Sequence, residues 1–476
     1  MSTTAASATL TTLDPTTGEA LDTYEIHDRA AIDATLERAA GTYRTWRATP
    51  LAQRAGPVRA AAALLRARKS ELATLATREM GKTLVEAEAE VEKCATGCEH
   101  YANEGARYLA NSPAESSAAK SYVAYRPLGT LLAIMPWNFP FWQVFRAAAP
   151  ALVAGNVVVL KHAANVTGCA LAIEEIFTAA GFPPGAFATL VVAGRDMEAI
   201  VADPRVAAVT LTGSEGAGSS VAAVAGKHLK KTVLELGGSD AFIVLADADI
   251  DAAARTAVKA RFQNNGQSCI AAKRFIVEAP VHDAFLDAFV RYTRELVIGN
   301  PLDRTTKLGP LARADLRDDL ARQVEATLQA GATLVTGGHV IAGAGNFYEP
   351  TIVANVTPEM PMFGEETFGP AAAVVRARDV EHAVELANAS PYGLGGNLWT
   401  RDTERAEAIA ARLESGGVFI NGMTASDPRL PFGGIKRSGY GRELSVFGIH
   451  EFVNVQTVWI GPPSNVPAAS DATPAE

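Results

Sequence analysis

Ala207-Ala-Val-Thr-Leu-Thr-Gly-Ser-Glu-Gly-Ala-Gly218 is an apolar strand-like run that breaks into a glycine-rich turn and then into a helical pattern. The strand is expected over 207–211 and the helix over 216–227. Backbone N–H groups at such a helix start favour a phosphate. The glycine spacing departs from G-x-G-x-x-G, so the turn alone reads either as a dinucleotide cradle or as an ordinary strand-to-helix connection. Outward from it the alternation continues. Strand-like runs fall at 131–135, 157–160, 188–192, 232–236 and 242–245, with helical stretches between them such as 167–180. This is the rhythm of a doubly wound parallel sheet. Farther on, a helix at 251–264, a strand at 275–277 and helices at 284–296 and 314–330 predict a second α/β domain beginning after Gly238. Before the sheet, apolar residues such as Val58, Leu64, Leu65, Leu72 and Leu75 keep helical spacing from Asp28, a plausible N-cap, to about Ala110. Residues 1–12 are expected to be loose, and the Pro/Ala/Ser-rich tail 461–476 disordered.

Composition narrows the function classes. A chain of 476 residues with 48% hydrophobic and 20% charged residues suits a soluble protein of two or three domains. Its net charge of −9 offers no footprint for nucleic acid and no attraction to an anionic membrane. No apolar run reaches transmembrane length, and the amino terminus lacks a basic signal-peptide start, so a cytoplasmic location is expected. The four cysteines, Cys94, Cys98, Cys169 and Cys269, are too few and too scattered for a disulfide framework. Cys94, Cys98 and His100 lack the further ligand that structural zinc requires, so no metal is expected. Gly81-Lys82-Thr83 imitates the end of a P-loop, but Ala76 stands where the first glycine belongs and a helix precedes it.

Two stretches carry chemistry. Phe262-Gln-Asn-Asn-Gly-Gln-Ser-Cys269 presents one cysteine, and Leu234-Glu-Leu-Gly-Gly238 places a glutamate before a Gly-Gly turn. A thiol can attack an electrophilic carbon, and a carboxylate can draw a proton from water. Taken alone, Cys269 reads equally as a small buried hydrophobe, and Glu235 as a surface or capping carboxylate.

With Pro136-Trp-Asn-Phe-Pro140, Thr212-Gly-Ser214, Glu365-Glu-Thr-Phe-Gly-Pro370 and Pro431-Phe-Gly-Gly-Ile-Lys436, these motifs resemble those of the aldehyde dehydrogenase superfamily, in its order, from about Leu13 to Trp459. Lys161-His-Ala-Ala-Asn165 and the stretch Asn264 to Arg274 look most like its bacterial succinate-semialdehyde dehydrogenases. The resemblance implies a cofactor domain of residues 1–119 and 135–237, a catalytic domain of 238–437, and a β arm of 120–134 and 438–460. That arm would join subunits into a homodimer or homotetramer. It implies Cys269 as nucleophile, Glu235 as the base that activates water, and the Asn138 amide as oxyanion donor. For NADP or NAD it implies Lys161 at the adenosine ribose, Ser214 at the pyrophosphate, and Glu366 and Phe368 at the nicotinamide ribose. Trp137, Ala164, Gly213 and Leu236 complete that set. Ala164 stands where NAD-selective relatives carry an acid, which with cationic Lys161 puts NADP slightly ahead. Arg146 and Ser426 match positions that bind the distal carboxylate of the aldehyde. A second arginine common in that branch is replaced here by Gln263, with Arg261 nearby but shifted. Succinate semialdehyde is therefore favoured, with glutarate semialdehyde, another aldehyde, or a non-catalytic scaffold as the alternatives. Arg146 also has a structural reading, as the partner of an acid on the sheet face.

Overall fold

Thr130–Met135, Val157–His162 and Val206–Thr212 are buried along nearly their whole length, the pattern of strands covered on both faces. In this computed structural model, which describes residues 8–462, they form the centre of a six-stranded sheet. Its order is Gly439–Tyr440, Lys231–Glu235, Val206–Thr212, Thr130–Met135, Val157–His162, Phe187–Thr189, parallel except at the Gly439–Tyr440 edge. The chain enters at Thr130–Met135, builds outward on one side, then returns to build on the other. The strand order therefore reverses between Thr130–Met135 and Val206–Thr212, and a crevice opens beyond their carboxyl ends.

A second, seven-stranded sheet follows in the order Thr333–Thr336, Thr351–Ala354, Ala371–Ala377, Ala272–Glu278, Asp240–Val244, Gly395–Trp399, Gly417–Ile420. Only its Thr333–Thr336 edge runs antiparallel. Asp240–Val244 thus belongs to this sheet rather than to the first, although the alternation that announced it is continuous with the first. The helical expectation after Asp28 resolves into Arg29–Trp46, Leu51–Ala67, Lys69–Met80 and Leu84–Tyr108. Asp28 caps the first of these, accepting the Ala31 N–H at 2.8 Å.

Three expectations need correction. Thr9–Leu13 is a strand paired with Ala20–Glu25, so the loose reading fails from Thr9 onward. The arm strand is Lys120–Pro127, paired with Val453–Ile460 and with Ser112–Pro113. Thr130–Met135 lies inside the first sheet, so an arm running to residue 134 overreaches. Gly439–Tyr440 likewise joins the first sheet, and Ser445–Glu451 is a helix, which leaves only Val453–Ile460 for the arm's second strand. The tail expected to be disordered lies, from residue 463, outside the described residues.

Gly81-Lys82-Thr83 is a helix-to-helix junction. Gly81, at φ 81°, closes one helix in the left-handed conformation, and the Thr83 side chain caps the next. Lys82 is fully buried in an ion pair with Glu90, beneath the Phe139 ring. Glu90 also accepts the N–H groups of Phe141 and Trp142 at 2.8 Å, which ties the long helix to the start of Trp142–Ala154. Removing one member of a buried pair strands the other charge, at a cost of roughly 3–5 kcal/mol. Lys82→Met is accordingly expected to lower the thermal midpoint markedly, and Lys82→Met with Glu90→Gln to recover part of the loss. A midpoint unchanged by Lys82→Met would show that the pair holds nothing together.

Candidate active site

Three successive residues before the cysteine are left-handed: Asn264 at φ 54°, Asn265 at φ 58° and Gly266 at φ 74°. Non-glycine residues pay roughly 1–2 kcal/mol each for this conformation, with asparagine the most tolerant. Side chains hold the turn in place. The Asn264 amide donates to Asn138 O at 2.8 Å and Gln267 O at 3.0 Å. The Asn265 amide donates to Gly81 O at 2.8 Å and Pro310 O at 2.9 Å, and its oxygen accepts Gly309 N–H at 2.8 Å. Gly266 is obligatory, because a Cβ there would lie 2.3 Å from Gly369 O. Arg261, fully buried, donates to Gly266 O at 2.7 Å and to the carbonyls of Gly369, Thr367 and Ala272. It is a strut of the loop and has no access to substrate. Lys273 Nζ donates to Ser268 O at 2.8 Å, Cys269 O at 2.6 Å and Glu366 Oε1 at 3.3 Å. Nothing in the motif spacing singled out Lys273 or Arg261 for these roles. Their partners are backbone carbonyls that only the folded loop assembles.

Asn138 follows Thr130–Met135 at the crevice and is buried. One of its amide N–H groups donates to Gln267 O at 3.0 Å, two residues before Cys269, leaving the second available. Glu235 ends its strand at 2% exposure, which removes the surface-carboxylate reading. Neither of its carboxyl oxygens has a hydrogen-bond partner. Burial, then the charge of Glu443, push this carboxyl well above the ordinary range, against the pull of Arg146 and Arg442. Burial pushes the Cys269 thiol up to about 12, opposed by Lys273 and Arg146. Glu235 and Glu366 add to that rise, so the thiol and the Glu235 carboxyl lie within each other's field. The arrangement is a thiol and a carboxyl whose neutral forms burial favours.

Arg146 sits on Trp142–Ala154, a helix buried at every position. Its guanidinium is ion-paired with buried Glu443, reaches Thr212 Oγ1 at 3.4 Å, and lies 4.7 Å from the centre of the Phe432 ring. Glu443 is itself raised by burial and lowered by Arg146. The structural alternative for Arg146 is therefore what the contacts bear out, yet the residue also lines a cavity. That cavity, about 490 Å³, is walled by Cys269, Arg146, Ser426, Trp142, Phe139 and Lys93 among others, Gln263 included. Asn138 and Glu235 do not line it. Lys93 is an unexpected member. Its Nζ donates to Ser426 Oγ at 2.6 Å and stands 4.6 Å from the centre of the Trp142 ring. A signal existed in Glu86, Ala89, Glu90 and Lys93, which share one face of Leu84–Tyr108 and all line the cavity.

Of the expected cofactor residues, Trp137, Lys161, Ala164, Gly213, Ser214 and Leu236 stand at neighbouring carboxyl ends of the first sheet. Glu366 and Phe368 come from the loop before Ala371–Ala377 of the second, and all lie outside that cavity. Ser214 caps Glu215–Lys227, and its hydroxyl accepts Ala217 N–H at 3.4 Å. A Cβ on Gly213 would meet only Leu211, at 3.6 Å, and one on Gly216 nothing within 4 Å, so the turn is open to a ligand. Leu236 is buried against Gly218, where a Cβ would lie 2.5 Å from its side chain. Lys161 is half-buried at its strand's end, its ammonium pulled below the usual range by burial, with no ion-pair partner among the described residues. Three residues on, Ala164 is exposed, and the Asn165 side-chain nitrogen beside it is buried without a partner. Trp137 and Phe368 meet edge to face at 5.7 Å. Glu366 accepts Gly238 N–H at 3.0 Å as well as Lys273. A cradle of open glycines, a helix start, an unpaired cation and an orphaned donor suits an anionic dinucleotide.

The model of the aldehyde dehydrogenase family matches residues 2–458. The chain is 52% identical over 451 residues to a probable NADP(+) succinate-semialdehyde dehydrogenase of Synechocystis, covering 95% of this chain and 99% of that one. It is also 52% identical, over 456 residues, to the NADP(+) succinate-semialdehyde dehydrogenase of Mycolicibacterium paratuberculosis, covering 95% and 97%. Among solved structures, it is similar to succinic semialdehyde dehydrogenase from Streptococcus pyogenes in complex with NADP+, with a TM-score of 0.93, 40% identity, and coverage of 95% and 100%.

The raised thiol makes a pH prediction. A pKa above the ordinary thiol value of roughly 8.5 keeps Cys269 protonated at neutrality, so its reactivity grows as pH rises. Alkylation of Cys269 by iodoacetamide in the cofactor-free protein is expected to be still accelerating at about pH 10. Cys94, Cys98 and Cys169 are buried and their thiols are likewise raised, so the label reports one site. A rate that levels off below the ordinary thiol value would contradict this account.

Proposed function

The chain belongs to the aldehyde dehydrogenase family, and from that premise we propose that it oxidises succinate semialdehyde to succinate, with NADP as the preferred acceptor. The observation that carries this reading is the cavity in which Cys269 shares a wall with Ser426 and with cationic side chains. An aldehyde bearing an anionic end fits such a lining, because an unpaired anion in a half-dry pocket is costly.

In this reading Glu235 relieves Cys269 of its proton as the sulfur attacks the aldehyde carbon. The oxyanion of the thiohemiacetal takes the Cys269 N–H and the second Asn138 N–H, donors worth roughly 3–4 kcal/mol each in acyl-transfer sites. A bound nicotinamide would supply the hydride acceptor by which the thiohemiacetal becomes a thioester. Once Glu235 has passed the cysteine's proton to solvent, it draws a proton from water as the hydroxyl adds to the thioester carbon. The C–S bond breaks, and that proton returns to the departing sulfur, freeing the acid and the thiol. Arg146 pairs with Glu443 and adds a cationic wall to the cavity. The cofactor would be held by Lys161, Ser214 and Gly213 at its phosphates and adenosine ribose, and by Glu366, Phe368, Trp137 and Leu236 at its other end. Ala164 offers a 2′-phosphate no repulsion, and half-buried Lys161 offers it a cation. Glutarate semialdehyde is a competing substrate, since one methylene changes specificity by only about 10–200-fold.

We further place the protein in the cytoplasm, where its thiols stay reduced, as a homodimer or homotetramer joined through the arm. Val455, Trp459 and Ile460 leave that arm exposed, Trp459 to 54%. Light scattering is expected to give a multiple of 49.9 kDa, and a monomer would refute the arm's role.

Absorbance at 340 nm on mixing protein, cofactor and aldehyde tests the activity. Cys269→Ala is expected to abolish oxidation while retaining cofactor binding; turnover above a few per cent would remove the cysteine from the chemistry. Glu235→Gln should release a burst of reduced cofactor and then slow by about 10²–10⁴-fold, the usual worth of a general base. Unchanged steady-state turnover would exclude Glu235. For the wild type, kcat/KM with NADP should exceed that with NAD, and a tenfold advantage for NAD would reverse the cofactor assignment.

A further inference from the structure

We propose that Lys93, paired with Ser426, is the side chain that recognises the anionic end of the substrate. This deepens the substrate reading above and rests on it. Lys93 lies on the cavity-lining face of Leu84–Tyr108, with Glu86, Ala89 and Glu90. Its ammonium is confined between the Trp142 ring and Ser426 Oγ, 2.6 Å away. The hydroxyl accepts from Lys93, so its own proton is left to donate. The ammonium has three N–H donors and uses one on Ser426. Together they offer one donor to each oxygen of a carboxylate.

Charge balance distinguishes Lys93 from the other cations of this cavity. Arg146 is already neutralised by Glu443. Lys93 has no ion-pair partner among the described residues, and the two acids whose fields reach it are occupied. Glu90 is paired with Lys82 and accepts two backbone N–H groups, and Asp427 is bound by Arg429. Burial and the Arg146 charge pull the Lys93 ammonium down to about 8, a destabilisation that an arriving carboxylate would relieve. Arg255, Lys259 and Lys307 also line the cavity and are exposed, which favours the approach of an anion.

The test is the ratio of kcat/KM for succinate semialdehyde to that for butanal, which has the same chain without the carboxylate. Lys93→Met keeps the stem against Trp142 and removes the charge. It is expected to lower the ratio by roughly 50- to 1,000-fold, the range for unpairing a buried charge, chiefly through KM for the semialdehyde. Lys93→Arg should restore most of the ratio, which a purely structural role in packing would not require. An unchanged ratio in Lys93→Met, or equal losses on both substrates, would overturn the proposal. Should Lys93→Met not fold, the same ratio read in Lys93→Gln decides in the same way. A wild type with no preference for the semialdehyde would instead overturn the substrate reading itself, before any variant is made.

Discussion

Everything in the site hangs on a turn that the backbone resists. Asn264, Asn265 and Gly266 are held left-handed in succession, and their neighbours are chosen to keep them there. Arg261 grips the turn from one side through four carbonyls, and Lys273 grips the following residues through two more. Asn265 joins the turn to Gly81 and Pro310, so the helical layer and the second sheet's loops both bear on it. The result is a cysteine whose backbone N–H and sulfur have fixed positions before any substrate arrives. Such preorganisation is what lets two hydrogen-bond donors act on an oxyanion without first reorganising.

The same region concentrates charge in dry surroundings. Glu90 with Lys82, Glu443 with Arg146, and Glu366 with Lys273 are each compensated locally. Glu235 alone of these carboxyls lacks both a cation in contact and a hydrogen bond. Its raised proton affinity suits the base proposed for it, since a well-satisfied carboxylate would hold protons too weakly near neutrality. An arginine suits the position next to it better than a lysine. The planar group can lie over Phe432 while reaching both Glu443 and Thr212.

The first sheet was legible because its strands are short β-branched runs separated by clear helices, as in Val157-Val-Val-Leu160. The second sheet was legible only as far as its helix at Ala314–Gln329. Beyond that, Ala371-Ala-Ala leads one strand and Gly395-Gly396 another, residues that carry little β propensity of their own. Thr333–Thr336 and Gly417–Ile420 are four-residue edge strands, half-buried and without alternation. Tertiary packing, not local preference, makes these segments strands. The catalytic motif was readable because its glycine and asparagines answer a backbone demand. Lys93 was not, since its partner Ser426 lies 333 positions away and no local pattern links them.

That long-range contact bears on how the cavity works as a unit. Lys93 reports on Arg146 through its lowered proton affinity, and Arg146 in turn acts on Glu235. A carboxylate that settles on Lys93 and Ser426 therefore places negative charge into the field that already governs the base. On the proposed reading, without Lys93 the same anion would face Glu235 and Glu443 with its charge unmatched. With Lys93 present, the incoming charge is matched where it lands, and Arg146 remains committed to Glu443. On the proposed reading, recognition of the substrate's far end and the proton affinity of Glu235 would be separated by the Arg146–Glu443 pair, a reason for the cavity to hold two inner cations where one would bind the ligand.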